Sequence, residues 1–214
     1  MDLVTAAKRV RDFEGQSLKS VLASIERGLQ NVDLKAAEPT YSAYNINKGL
    51  LEAALTLKKQ VAQINVVIHA IGLLSSLPFV LKPNEVIESM SLGAGNTGRP
   101  FDLETNIQVA EFKFIDWKGG AEAIRQNSLF KDFFNLAEYK TNKRRVLYVV
   151  GLTYPMKFFN GSREIRSVLS RNNKLWTQFK NRYGARFAVV NEYYEYRKNL
   201  VEIVDISDFI KPNS

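Results

Sequence analysis

Three carboxylates and one ammonium lie close together along residues 100–115, PFDLETNIQVAEFKFI. Asp102, Glu104, Glu111 and Lys113 alternate with apolar residues, a pattern typical of two half-buried strands. Carboxylates that converge on one face form a hard oxygen site suited to Mg²⁺ or Mn²⁺. A divalent ion there polarises a phosphodiester and lowers the pKa of a bound water, while a neighbouring lysine stabilises the developing charge. These residue types therefore predict phosphodiester cleavage.

The chemistry requires the charged side chains to share one face of a strand pair. We expect a two-residue turn at Thr105-Asn106, which places Asp102 opposite Val109 and Glu104 opposite Ile107. The other face would then be apolar, with Phe101, Leu103, Ala110, Phe112 and Phe114. Two alternatives stay open: the acids of the first strand line a solvent-facing hairpin, and Glu111 with Lys113 forms an ordinary surface ion pair.

Helical periodicity dominates the first third of the chain. Residues 2–32 are predicted to be helical with a break at Glu14-Gly15, and Lys35 to Ser42, which contains Pro39, is predicted to be a linker. A second helical stretch is expected over 45–77, broken near residues 60–65 or at Gly72 and ended by Pro78 and Pro83. Its apolar part, Val61 to Leu81, carries polar residues that are costly in a bilayer, including His69, so a buried helix with a satisfied core histidine is favoured over a membrane span.

The remaining pattern changes to strands and shorter helices. We expect a strand at 85–92, a turn at 93–98, a helix over 121–139 opened by Gly119-Gly120, and a strand at 146–152 buried on both faces. A basic helix at 162–182 and a hairpin of 186–194 with 200–206 complete the chain. The predicted class is α/β, with a helical N-terminal region at 1–44 and an α/β domain at 45–214.

Composition limits the alternatives. The chain has 214 residues, no cysteine and one histidine, which excludes disulfides, thiolate metal sites and multi-histidine zinc sites within one chain. With no apolar leader at Met1–Gly15, a cytoplasmic protein is expected. The net charge of +8 favours a polyanionic partner such as nucleic acid. The basic residues expected to contact a phosphate backbone are Lys143, Arg144, Arg145, Arg163 and Arg166.

The order helix, three strands, helix, strand, with Asp102 on the second strand and Glu111-Phe112-Lys113 on the third, resembles the PD-(D/E)XK nuclease superfamily over residues 45–152. The resemblance implies a restriction-endonuclease-like αβββαβ core, with Asp102 and Glu111 as ligands of Mg²⁺ or Mn²⁺ and Lys113 as the catalytic lysine. Gln126 would be a supporting catalytic glutamine, with ordinary helix surface as the alternative. An upstream acid would complete the metal site; Glu52, Glu85 and Glu88 are candidates, and Glu88 is preferred.

This sequence departs from the family pattern at two positions. Phe101 separates Pro100 from the aspartate, and Phe130 stands where some branches carry a tyrosine after the glutamine. The expected function is metal-dependent hydrolysis of DNA, with RNA as the less favoured substrate. The enzyme is expected to be cytoplasmic and not to bind a membrane, and its N-terminal helices are expected to pack on the nuclease domain or to form a dimer interface. The alternatives are a non-catalytic nucleic-acid-binding module and a protein-interaction or assembly factor that uses the apolar segment 61–81.

Overall fold

A computed structural model of the chain describes residues 1–31, 33–62, 64–93, 98, 100–115, 117 and 122–210. The chain divides into two compact units, Met1–Asn65 and Val66–Ser214, whereas the sequence places the boundary between residues 44 and 45. The predicted turn at 93–98 falls mostly on residues 94–97, and the predicted helix start on Gly119-Gly120; both lie outside the described residues.

The first unit is helical. Its helices are α1 (Leu3–Glu14), α2 (Leu18–Gly28), α3 (Leu34–Ala43) and α4 (Lys48–Gln60). Each begins after a residue whose side chain accepts a hydrogen bond from a backbone N–H in the first turn, which stabilises the helix start: Asp2, Ser17, Asp33 and Asn47. The predicted break between α1 and α2 is confirmed, as is the predicted interruption of the second helical stretch.

The prediction of a linker at Lys35 to Ser42 is wrong. Asp33 accepts a hydrogen bond from the Ala36 N–H at 2.8 Å and begins α3, which continues through Pro39. Proline lacks an N–H and so removes a single hydrogen bond from the helix, while the capping aspartate and neighbouring alanines favour the helical conformation. The chain between α2 and α4 is therefore largely helical rather than extended.

The second unit is built around a mixed five-stranded sheet. Its strands are β1 (Ile87–Met90), β2 (Leu103–Thr105), β3 (Gln108–Lys113), β4 (Arg144–Val149) and β5 (Glu202–Asp205), and they lie side by side in that order. β1 pairs with β2 and β2 with β3 in antiparallel orientation, whereas β3 pairs with β4 and β4 with β5 in parallel orientation. Its helices are α5 (Ile64–Val80), which begins two residues before the boundary, α6 (Glu122–Glu138), α7 (Thr153–Phe159), α8 (Ile165–Val168), α9 (Asn173–Tyr183), α10 (Val190–Arg197) and α11 (Ser207–Ile210).

Helices cover both faces of the sheet. The parallel strands β3 and β4 require a crossover, which α6 supplies. The apolar side chains of α6 pack in one core cluster with Val109, Leu147 and Val149 of the sheet. Leu73 and Val80 of α5 belong to a second cluster with apolar side chains of the opposite face: Leu103, Ala110, Phe112, Val146 and Tyr148. The alternation predicted for β3 is confirmed, because neighbouring residues join different clusters.

Three predictions for the second unit are wrong in detail. The 162–182 segment forms two helices, α8 and α9, and the predicted hairpin of 186–194 with 200–206 does not form. Glu192 accepts hydrogen bonds from the N–H groups of Ala188 and Val189, so a helix begins there, and β5 pairs in parallel with β4 instead. Pro78 lies inside α5 rather than ending it.

The expectation that residues 61–81 form a buried helix is also wrong for much of that segment. Leu73 is fully buried, but several apolar side chains of α5 are more than 40% exposed, among them Val67, Ile71 and Phe79. The stretch Lys48–Val80, which includes α4 and α5, is long and apolar enough to cross a membrane by length and composition, which alone is weak support for a span. An exposed apolar helix face thus replaces the predicted central core helix.

Candidate active site

The pairing of β2 with β3 brings Asp102 and Glu111 together. Leu103 lies opposite Ala110 and Glu104 opposite Val109, so the register is shifted by two residues from the predicted one. A shift by an even number keeps the side chains of the two strands on their predicted faces and moves Asp102 beside Glu111, whereas Phe101, which precedes β2, packs on the opposite face from the predicted one. The two carboxyl groups share a hydrogen bond, and Oδ2 of Asp102 also accepts one from the Phe112 N–H at 2.9 Å.

His69 of α5 approaches the same aspartate. Its Nε2 lies 3.3 Å from Oδ1 of Asp102 and 3.2 Å from the backbone oxygen of Ser91. Because both of these atoms accept hydrogen bonds, Nε2 carries the ring proton. The hydrogen bond with Asp102 raises the pKa of His69 above its ordinary value. The sequence favoured a satisfied core histidine, and in the structure His69 is half-buried with both contacts close to the carboxylates.

Lys113 and Asp132 complete the cluster on the α6 side of the sheet. The Lys113 ammonium forms an ion pair with Oδ2 of Asp132, whose side chain is 4% exposed, while the lysine side chain is 30% exposed. Burial lowers the pKa of Lys113, but the charge and hydrogen bond of Asp132 outweigh it and raise that pKa. The lysine therefore stays protonated, with part of its surface open to solvent.

The carboxyl groups differ in their affinity for protons. Burial and the negative charges of Asp132 and Asp102 raise the pKa of Glu111 to about 10. Burial also raises the pKa of Asp102, but hydrogen bonds from His69 and the Phe112 N–H outweigh it and hold that pKa below its usual range. At neutral pH the pair accordingly consists of an ionised Asp102 and a protonated Glu111 that donates to it.

A carboxyl pair that shares one proton is suited to exchange that proton for a cation. Within the described ranges no three histidine, aspartate or glutamate side chains are arranged to hold a metal ion together. Mg²⁺ needs fewer protein ligands, because it keeps several waters and binds through one or two carboxylates. Asp102 and Glu111 supply two such groups, so these two residues fit a magnesium ion whose other ligands would be waters.

The upstream acids suggested by the family resemblance lie elsewhere. Glu88 of β1 accepts a hydrogen bond from Lys143 at 2.6 Å, and the same ammonium lies 2.9 Å from Glu104. Glu85 accepts hydrogen bonds from Thr105 at 2.5 Å and Gln108 at 2.8 Å. Glu52 belongs to the first unit and is paired with a lysine of its own helix.

Most of the basic residues expected to contact phosphate already have protein partners. Besides Lys143, Arg144 forms hydrogen bonds with both carboxylate oxygens of Glu202, and Arg145 donates to the backbone oxygens of residues 139 and 141. Arg166 is exposed and stacks over the Trp176 ring at 5.0 Å. Arg163 is exposed and lines a cavity beside Gln126.

Gln126 is buried on α6, six positions before Asp132, and faces that cavity rather than solvent. The surface alternative for this residue is therefore wrong, although the cavity does not by itself assign it a catalytic role. Residues that sequence reasoning missed are Asp132 and the Asp102 contact of His69. The signal for Asp132 was available, because it lies three residues after Leu129 and four before Leu136, on the predicted apolar side of its helix.

Comparison of the chain with models of protein families, with curated proteins and with solved structures finds no match. The function must therefore be argued from the arrangement of the side chains.

Proposed function

We propose that the protein is a metal-dependent nuclease that hydrolyses DNA phosphodiester bonds, and that its second unit has a restriction-endonuclease-like core. The element order α5-β1-β2-β3-α6-β4 supports the proposal, since it matches the order expected from the family resemblance. The observation that carries it is the hydrogen-bonded carboxyl pair of partly buried Asp102 and buried Glu111, beside the Lys113 ammonium.

Each side chain has a distinct part in the proposed reaction. When bound, Mg²⁺ or Mn²⁺ would polarise the phosphodiester and lower the pKa of a coordinated water. Asp102 and Glu111 would hold the ion, and Glu111 would release its proton as the ion binds. The hydrogen bonds that Asp102 receives from the Phe112 N–H and His69 fix its carboxylate in position for this role.

Lys113 would meet the negative charge that develops on the phosphorus centre. Its ammonium has three N–H donors and partial access to solvent, so it can contact a phosphate oxygen while remaining bonded to Asp132. Asp132 is a positioning residue, because it acts by keeping the lysine charged and fixed. The ion pair therefore prepares a cation for the transition state before substrate binds.

The proposal is tested by incubating purified protein with labelled single-stranded and duplex DNA plus Mg²⁺ or Mn²⁺. We expect Asp102→Asn, Glu111→Gln and Lys113→Arg to lower the cleavage rate by about a hundredfold or more. Glu104→Gln is the matched control, since this acid lies on β2 but pairs with Lys143. Circular dichroism verifies that each variant is folded.

Cleavage that resists a chelator, or that persists in the three site variants, would refute the assignment. Salt-sensitive DNA binding without cleavage in either metal would instead support the non-catalytic binding module, because phosphate contacts alone give a steep dependence on salt.

The exposed apolar face of α5 favours a second candidate function, a protein-interaction or assembly role. Exposed apolar patches of this kind mark interaction surfaces in many proteins. Size-exclusion chromatography with light scattering tests it: a stable oligomer that Ile71→Lys dissociates would support the role. A monomer at all concentrations, with no change on substitution, would exclude self-assembly through this face.

A further inference from the structure

A small cavity of about 210 Å³ opens beside the N-terminal part of α6. Residues of α6, of α7 and of the chain flanking these helices line it: Trp117, Glu122, Gln126, Tyr154, Lys157 and Arg163. Pockets for drug-sized ligands enclose about 300–1,000 Å³. This cavity is therefore suited to a smaller group, such as a single aromatic ring system.

Two residues that line the cavity each have a buried polar atom without a hydrogen-bond partner in the described part of the chain. The two atoms are Oε1 of Gln126, whose residue is 8% exposed, and Nε1 of Trp117, whose residue is 7% exposed. One accepts a hydrogen bond and the other donates one. Because a buried polar group without a partner is costly, the pair indicates a ligand that supplies both a donor and an acceptor.

The remaining lining suits a flat, polar ring attached to a phosphate. The rings of Trp117 and Tyr154 are stacked, with centroids 5.9 Å apart and planes inclined by 26°, and provide an aromatic wall. Among the described lining residues, Lys157 and Arg163 are exposed cations and Glu122 is the one acid, so this part of the lining has an excess of positive charge. Aromatic walls with nearby cations are the combination that binds single-stranded nucleotides.

The cavity lies on the helix that carries Asp132. Gln126 precedes Asp132 by six positions, which corresponds to about 9 Å along the axis at the usual helical rise. A nucleotide near the reacting phosphate could therefore place its base in the cavity. A base held inside a stacked duplex cannot reach a cavity on the protein, so the base would have to be unpaired or flipped out.

We propose that this cavity binds an unpaired nucleobase of the DNA substrate, with Gln126 accepting from and Trp117 donating to the edge of the base. The inference rests on the proposed nuclease function for the identity of the ligand. It assigns Gln126 a recognition role and predicts that the substrate is single-stranded or locally unpaired next to the site of cleavage.

The test measures binding rather than cleavage. The chain contains two tryptophans, so Trp176→Phe leaves Trp117 as the only indole reporter. Its fluorescence is titrated with each of the four deoxynucleoside monophosphates in the presence of a chelator, with inorganic phosphate and deoxyribose 5-phosphate as base-free probes. We expect quenching by nucleotides only, and a Kd weakened about five- to tenfold by Gln126→Leu. Gln178→Leu, an exposed glutamine on α9, is the matched control and should leave the Kd unchanged.

Three results would overturn the proposal: no fluorescence change at millimolar nucleotide, an equal response to the base-free probes, or equal effects of the two glutamine substitutions. Because the chelator removes any metal, none of these results depends on cleavage. A nuclease with a silent cavity would refute this inference alone, whereas nucleotide binding without cleavage would refute the proposed catalysis and retain the base site.

Discussion

Removing the Lys113 ammonium is expected to destabilise the second unit more than removing its partner. In Lys113→Met the carboxylate of Asp132, with a side chain 4% exposed, loses the cation that compensates its burial. Breaking a buried pair in this way costs about 3–5 kcal/mol of the free energy of unfolding. In Asp132→Asn the lysine is left, but its side chain is 30% exposed and can be hydrated, so we expect about 1–2 kcal/mol.

The double variant Lys113→Met/Asp132→Leu measures the energetic coupling between the two charged side chains. Replacing both charges by apolar groups removes the uncompensated carboxylate, so its free energy of unfolding should return to within about 1 kcal/mol of the native value. Urea unfolding followed by tryptophan fluorescence measures this, because both tryptophans lie in the second unit. In thermal unfolding the lysine substitution alone should lower Tm by about 6–20 °C.

The pH dependence of the lysine variant provides an independent check. Burial raises the pKa of Asp132 in the native protein, and the loss of the ammonium raises it further. A carboxyl group whose folded pKa exceeds its unfolded pKa takes up a proton on folding, so stability falls as pH rises through that interval. The deficit of Lys113→Met should therefore be smaller at pH 5 than at pH 8. Equal losses in both single variants, strictly additive in the double variant, would refute the reasoning.

Three further results are expected. Glu111→Gln should stabilise the metal-free protein, because the pKa of Glu111 is raised to about 10 and the native carboxyl group must therefore take up a proton on folding. The gain in the free energy of unfolding should grow between pH 5 and pH 8 by at most about 1.4 kcal/mol per pH unit, as measured by urea unfolding at both pH values. Added Mg²⁺ should raise Tm at pH 8 for the native chain but not for the variant. Gly72→Ala should cost about 1–3 kcal/mol, since its Cβ would meet the Phe114 ring at 2.6 Å, and Phe114→Leu should recover part of the loss of stability in the same unfolding assay. Tyr193→Phe should lower the free energy of unfolding by about 1–2 kcal/mol, because the tyrosine donates to Glu138 at 2.8 Å from a fully buried position; no loss would mean that the other partners of Glu138 compensate.

The candidate site could largely be predicted from alternation along two strands. The turn was placed wrongly, yet an error of two residues preserves the face of each side chain, and so Asp102, Glu111 and Lys113 still lie together. Phe101 lies before the first residue of β2, so the alternation of side chains along that strand does not determine its direction. It packs in the core cluster on the α6 side of the sheet rather than on the predicted face.

The parts that could not be predicted depend on tertiary packing. Asp132 faces the sheet because α6 forms the crossover from β3 to β4, and a single acid in an apolar helical stripe does not reveal its partner. The residues around Tyr193 include the valines and tyrosines that are common in strands, but the buried aromatic contacts and the Glu192 cap favour α10. The basic residues that begin at Lys143 indicated a phosphate-binding surface. In the structure Lys143 instead forms ion pairs with Glu88 and Glu104 of the same unit.

The two outermost strands of the sheet determine how the protein can associate with other chains. β1 and β5 have four residues each, β1 has an irregular register between Ile87 and Ser89, and β5 carries an acid at each end. Edge strands that are short, irregular or charged pair poorly with a strand of another chain, and this protects against fibril growth and domain swapping. Copies of this chain should therefore associate through helix surfaces rather than by extending the sheet.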